Sequence, residues 1–251
     1  MALQRVQMPT TNTSGPRSST RLIIVHTAEG ALTYQSLGNF FIATESGDPA
    51  RQVSSQVGID DTLGVIGEYV QSGGIAWAAT NANQVATQAE LCGFAEWTPQ
   101  QWQQHPAMLD NTARWIAEEA NRYALPIVKL DASAAQGGGH GVCGHIDLGA
   151  WGGGHWDPGP NFPWDSVIAK ANQYANSTPN PLPPEVNDMD DNLFIRWCYM
   201  TLLMRPVDVS GFNLNMYWLA TGGPRWDVYA HLYDSPEGKT VTAARRKAIG
   251  L

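Results

Sequence analysis

Six histidines punctuate the chain, at His26, His105, His140, His145, His155 and His231. Three of them crowd one glycine-rich stretch, GGGHGVCGHIDLGAWGGGHWDPGPNF at 137–162, together with Asp147 and Asp157. His26 follows a four-residue apolar run, 22–25. A hydrolytic zinc site takes three N or O ligands at about 2.0–2.2 Å and keeps one position open for water. A histidine at a strand end, plus a histidine and an aspartate from one tightly folded loop, meets that requirement. Pro-Gly-Pro after Asp157 stiffens the backbone behind its carboxylate. The competing reading is a histidine held by backbone groups beside a polar surface loop, since neither HExxH nor CxxC occurs. Glu90 lies in the apolar stretch AELCGFA. A carboxyl there is either desolvated and tuned for proton transfer, or a strand-edge group facing solvent.

Three other patterns carry less. Gly139, Gly141 and Gly144 spell GxGxxG, but no apolar strand leads into them and no helix pattern follows, so they do not form a dinucleotide loop. Asp188, Asp190 and Asp191 lack the mid-loop glycine of a calcium loop, and Tyr199 stands where its bidentate Glu belongs. Arg245, Arg246 and Lys247 read as solvated charge, with attraction to an anionic wall polymer as the second reading.

The elements that must position these residues follow from the pattern. The run 22–25 is a buried strand. Residues 33–42 have helical spacing, with Thr33 as N-cap. Segments 52–60, 63–70 and 89–94 are strand candidates. Leu109, Ala113, Ile116, Ala120 and Tyr123 trace one face of a helix, with Pro106 ahead of it and Pro126 beyond. Residues 137–162 read as one long functional loop, and 165–174 as a closing helix. Residues 1–20 read as an extended lead-in. Four prolines in 177–191 predict a semi-rigid linker. Short helices at 193–203, 213–220 and 226–233 follow. This order predicts an α/β catalytic domain over 1–176, the Pro-rich linker at 177–191, and a small all-α domain over 192–251.

Composition narrows the class. The chain has 251 residues, 43% hydrophobic and only 15% charged, with a net charge of −8, which excludes a disordered chain and disfavours nucleic-acid binding. No apolar run is long enough to cross a membrane. Glycine (25) and tryptophan (10) are in excess, as in loop-rich folds with aromatic walls. The N-terminus lacks the apolar core of a secretory signal. Cys92, Cys143 and Cys198 are widely spaced and odd in number, which predicts reduced, buried thiols and synthesis in a reducing cytosol.

The motifs IIVHTAEG (23–30), AELCGFAEW (89–97) and GVCGHIDLGAWGGGHWDPGPNFPWD (141–165) resemble the zinc-dependent N-acetylmuramoyl-L-alanine amidases, which share their fold with the peptidoglycan recognition proteins. The variant is similar to the amidase domains of actinobacteriophage endolysins, over residues 5–175. The resemblance implies a central, mostly β sheet flanked by helices, with Zn²⁺ held by His26, His145 and Asp157. It implies Glu90 as the proton-transferring residue and His155 as the group that, with the metal, stabilises the oxyanion. It also implies bacterial peptidoglycan as partner, with neither nucleic acid nor membrane insertion. The enzyme would be made in the host cytoplasm and act on the cell wall. The bond cut would join N-acetylmuramic acid to L-alanine of the stem peptide. A non-catalytic peptidoglycan-binding protein on the same fold is the alternative; such members usually lack a zinc ligand, whereas all three candidates are present here. His140 is the nearest competing ligand, and Asp147 a loop brace or a partner behind the ligands.

Departures from the family pattern are Ser55 and Gln56, with no tyrosine in VSSQVGID, and Ala78 after Trp77. The C-terminal part resembles a small helical domain of unknown function from bacterial extracellular proteins, through Tyr199, Arg205, Asp208, Gly211, Tyr217 and Trp218, with Met204 where that pattern has glycine. Cell-wall targeting and a packing appendage are its two readings.

Overall fold

The computed structural model describes residues 3–177, 189–220 and 225–248. The chain divides into two compact units, 1–178 and 179–251. In the first, a six-stranded mixed sheet runs in the order β1 (Gln4–Gln7), β5 (Val65–Glu68), β4 (Val57–Ile59), β7 (Ala86–Leu91), β3 (Leu22–Thr27), β8 (Gly141–Gly144). A separate antiparallel ribbon pairs β2 (Thr13–Pro16) with β6 (Gly74–Ala76). The helices are α1 (Tyr34–Thr44), α2 (Pro99–Gln103), α3 (Pro106–Tyr123), α4 (Ala132–Gln136) and α5 (Trp164–Ser177). This is the mixed α/β architecture, a central sheet flanked by helices, that the sequence predicts.

The strand β3 is the spine. It is parallel to β7 on one side and to β8 on the other. All six of its residues are buried, because helices or turns cover both faces. Side chains alternate between the faces. Ile23, Val25, Ala89 and Leu91 join the main core with Leu37 and Phe41 of α1, Trp115 and Ile116 of α3, and Val167 and Ala171 of α5. Leu22, Ile24, Ala86 and Cys143 face the other way, onto Ala79, Ala82 and Leu148. His26 shares this second face by the same alternation. Burial of Ile23, Ile24 and Val25 alone stabilises the strand by several kcal/mol, at about 1.5–3 kcal/mol per aliphatic side chain.

Local signals hold where the chemistry is local. Thr33 caps α1, accepting the Ser36 amide at 3.1 Å. Pro106 opens α3, and Ala124 closes it in the left-handed region at φ 51°. Cys92, Cys143 and Cys198 are all buried and free. Elsewhere the structure departs from the local reading. Residues 1–20 are not a lead-in, since they contain β1 and β2. Arg5 anchors β1 through Glu68 at 3.0 Å, Glu118 at 2.9 Å and Glu119 at 3.4 Å, all far away in sequence. The stretch 137–162 is not one long loop; it holds β8 and a 3-10 turn at His145–Gly152. β7 starts three residues earlier than the strand expected at 89–94, and the strand expected at 52–60 narrows to Val57–Ile59.

The second unit packs α6 (Asp191–Cys198), α7 (Val209–Ala220), α8 (Arg225–Asp234) and α9 (Pro236–Ala248), with a π-helical turn at Tyr199–Leu203. Its core is built from Phe194, Ile195, Cys198, Tyr199, Leu202, Leu203, Val228 and Leu232. The helix α9 lies beyond the three short helices expected from the pattern, and it contains the basic triplet 245–247. Most of the Pro-rich segment 177–191 lies outside the described residues. Asp190 caps α6 through the Leu193 amide at 2.8 Å, and Asp191 pairs with Arg225 at 2.7 Å. No helix among the described residues is long and apolar enough to cross a membrane.

The motif residues of this unit are engaged within it. Arg205 bridges Glu237 at 2.6 Å and Asp208 at 3.2 Å, and lies over the Tyr199 ring. Asp208 accepts the Gly211 amide at 2.9 Å. A Cβ on Gly211 would stand 2.3 Å from the Tyr199 hydroxyl. Met204 sits at φ 54° with a side chain 63% exposed. The left-handed conformation costs a non-glycine residue about 1–2 kcal/mol, which explains the glycine of the pattern. Met204→Gly should stabilise this unit by roughly 1 kcal/mol. Denaturant unfolding of the full chain checks this, and an unchanged midpoint would mean that Met204 contacts offset the strain.

Candidate metal centre and its neighbours

Register brings the site together. Across β3 and β7, His26 stands opposite Glu90; across β3 and β8, Val25 stands opposite Gly144, so His145 follows beside His26. His145, His26 and Glu90 therefore form a row at the C-terminal ends of three adjacent parallel strands, the edge where open α/β sheets carry their ligands.

The loop then folds Asp157 onto this row. The Ile146 amide donates to the Asp157 carbonyl at 2.9 Å, pinning the start of the loop to its end. Two glycines make the approach possible. A Cβ on Gly144 would lie 2.7 Å from Pro158 Cδ. A Cβ on Gly159, at φ +85°, would lie 1.9 Å from the Ala95 carbonyl oxygen. Asp147 takes no part in the cluster. It accepts the Gly144 amide and the Lys129 ammonium, both at 2.7 Å, and so braces the loop. His140 is exposed and stands outside the cluster.

His26, His145 and Asp157 are all buried, and among the described residues they are the one His/Cys/Asp/Glu group close enough to share an ion. His26 Nδ1 lies 3.0 Å from His145 Nδ1. Asp157 Oδ2 is 3.2 Å from His26 Nδ1, and its Oδ1 is 3.2 Å from His145 Nδ1. Four ligands at about 2.0–2.1 Å around zinc stand roughly 3.3 Å apart, so this triangle is close to one face of the required tetrahedron. The outer contacts agree. The Gly152 carbonyl can only accept, so His145 donates Nε2–H to it at 2.7 Å and turns its Nδ1 lone pair inward. A carboxylate facing imidazole lone pairs calls for a cation between them. The donor set thus fits a tetrahedral divalent metal.

The charges are mutually tuned. Burial lowers the basicity of His26 below the ordinary imidazole value, against the pull of Asp157. Burial also acts downward on His145, but the Asp157 carboxylate and the Gly152 carbonyl outweigh it and hold that ring above the ordinary value. Burial works to raise Asp157, yet the two imidazoles hold it well below the carboxylate range.

Glu90 is tuned the opposite way. Burial, then the charges of Asp157 and Glu29, push its carboxyl up to about 8. Its Oε2 is shielded from solvent and has no hydrogen-bond partner among the described residues. The residue as a whole is half-buried, with this oxygen turned inward, so Glu90 presents a desolvated carboxyl beside the cluster and is not a solvent-facing strand-edge group. His155 is exposed and stacks on His145, with ring centroids 4.6 Å apart and planes 11° from parallel. Trp156, next along, is 51% exposed.

Three further neighbours, Gln88, Asn83 and Glu29, carry no ligand-motif signal in the sequence. Gln88 touches His26 Nε2 at 3.1 Å. Its signal is positional, as a polar residue two positions before Glu90 and hence on the same strand face. Asn83 contacts Gln88 from the turn before β7, and nothing local marks it. Glu29, at φ 53°, accepts the Ala95 amide at 2.8 Å. The departures at Ser55 and Gln56 are buried immediately before β4. Ser55 donates to the Val57 carbonyl, while Gln56 accepts the Gln88 amide and donates to the Gly74 carbonyl, each at 2.8–2.9 Å.

Among curated proteins no sequence matches this chain. Among solved structures, the hydrolase AmiA of Staphylococcus aureus, in complex with its ligand, is similar at a TM-score of 0.54 and 16% identity. That match covers 70% of this chain and 84% of AmiA, and it shows a shared fold. The endolysin N-acetylmuramoyl-L-alanine amidase LysCS of Clostridium intestinale is similar at a TM-score of 0.48 and 17% identity, covering 68% of this chain and 97% of LysCS. At the level of the family, residues 16–160 match N-acetylmuramoyl-L-alanine amidase. That span exceeds half of the chain and runs from before β3 to just beyond the Asp157 turn, and on it the chain belongs to the N-acetylmuramoyl-L-alanine amidase family.

Proposed function

We propose that this protein is a zinc-dependent peptidoglycan hydrolase of the endolysin type. It cleaves the amide between the lactyl group of N-acetylmuramic acid and L-alanine of the stem peptide. One observation carries the reading: two imidazole nitrogens and a carboxylate converge within 3.0–3.2 Å beside a desolvated carboxyl, in a chain of the amidase family. His26, His145 and Asp157 hold the metal. When bound, zinc supplies a Lewis acid that activates water and polarises the scissile carbonyl. Glu90 takes the water proton on its carboxylate and returns it to the leaving amine. Its raised proton affinity supports both halves of that task. His155, exposed on the outer side of His145, donates to the oxyanion as it forms. The enzyme acts on the cell wall after synthesis in the host cytoplasm. The catalytic domain spans 1–176 and the helical domain 192–251. A cell-wall role for the latter would add avidity through the tether at 177–191.

Mass spectrometry of purified peptidoglycan digested with the zinc-loaded protein tests this. The expected products are stem peptides with a new L-alanine amino terminus and intact glycan strands. Undigested wall with protein still bound would instead support the binding-only alternative.

A further inference from the structure

A metal-binding imidazole must present a bare nitrogen, and which nitrogen is bare is decided by what the other one touches. For His145 the Gly152 carbonyl decides. For His26 the decision passes through two side-chain amides. The backbone N–H groups of Ala78 and Ala79 lie 3.1 and 2.7 Å from one terminal atom of Asn83. A backbone N–H only donates, so that atom is the Asn83 oxygen. The same oxygen lies 3.0 Å from the Gln88 amide, which must therefore present its NH₂. The Gln88 oxygen is then the atom 3.1 Å from His26 Nε2. An amide oxygen only accepts, so His26 carries its proton on Nε2. A neutral imidazole has one N–H, and Nδ1 is left bare toward His145 and Asp157.

Gln88 has no freedom to reverse this order. It is fully buried. Its backbone N–H is held by Gln56 Oε1 at 2.8 Å. It lies two residues before Glu90 on the strand face that His26 shares, so the contact is a diagonal cross-strand pair. We propose that Asn83 and Gln88 are positioning residues that fix the tautomer of His26, so that its Nδ1 is ready to ligate a divalent cation. This rests on the reading of His26, His145 and Asp157 as a metal centre.

Two measurements on the full chain test it. Long-range ¹H–¹⁵N spectra of the metal-free protein at pH 8 should show the His26 proton on Nε2. Gln88→Met keeps the length of the side chain but removes the acceptor. Its zinc affinity, measured by competition with a chromogenic chelator, should fall about 10- to 100-fold. The metal-free protein should unfold near the wild-type temperature, because His26 can shift its proton to Nδ1 and donate to Asp157. A merely structural Gln88 would lower that temperature and leave the affinity intact. Asn83→Asp keeps the accepting oxygen and should bind zinc no more weakly than wild type, whereas Asn83→Leu should weaken it. If Gln88→Met fails to fold, the wild-type spectrum and the Asn83 pair decide. A wild-type proton on Nδ1, or wild-type affinity in Gln88→Met, overturns the proposal. A wild-type protein that takes up no zinc, with His26 protonated on Nε2, overturns the metal centre instead and leaves the relay standing.

Discussion

Glu90→Gln should bind zinc as the wild type does and lose turnover by about 10²–10⁴-fold, the contribution of a positioned proton-transfer group. The amide preserves the shape of the side chain and takes no proton. The same substitution should stabilise the metal-free fold, and the sign follows from the environment. In the folded state burial and neighbouring charge hold the Glu90 carboxyl near 8, whereas it ionises in the ordinary range when unfolded. Its stabilising contribution is complete below the unfolded value and is lost as pH rises through the folded one. The glutamine variant has no such loss. The difference in unfolding free energy between the two proteins should therefore widen from pH 5 to pH 8, to roughly 1–3 kcal/mol once solvent screening of this half-buried residue is allowed for. Zinc content, turnover of peptidoglycan and thermal unfolding across pH test these expectations together. Equal loss of zinc and activity would remove Glu90 from the proton-transfer role and make it part of the metal site.

Asp157→Ala should abolish zinc retention, weakening affinity by at least about 100-fold, and with it all amide hydrolysis. Asp157→Asn should do nearly the same, because it keeps the shape and loses the charge that faces two imidazole nitrogens. The pH dependence runs opposite to that of Glu90. The Asp157 carboxyl is held below its ordinary range, so its contribution is present above the unfolded value and lost as pH falls through the folded one. Metal content after dialysis, followed by unfolding between pH 2 and 6, checks both parts. Full zinc occupancy in Asp157→Ala would exclude it as a ligand.

How much of this was legible in the sequence depended on where each signal lies. The strand ending at His26 was legible because a strand buried on both faces is apolar at every position. The helix α3 was legible because one face repeats at helical spacing between two prolines. β1 was not, because Arg5 finds its carboxylates 63 to 114 residues away. β8 was hidden by its composition, since glycine is needed there to admit Pro158 and not to make a flexible loop. For the site, residue types and a family motif pointed to the three cluster members, and the fold placed them together. The desolvation of Glu90 could be posed from its apolar surroundings but not decided without the sheet. The Asn83–Gln88 pair was invisible, because its meaning lies in the direction of hydrogen bonds.

The row of His145, His26 and Glu90 exists because three strands keep one shared phase. Deleting a single residue between Leu22 and His26 would put the two parts of β3 out of phase: with the start of the strand held in place, the imidazole would turn toward the face of Trp115 and Val167. Length change is therefore forbidden within these strands and tolerated in the connections beyond their ends. Descendants of this sequence could acquire new substrate preferences by exchanging loops around the cluster while the six-residue spine stayed invariant in length.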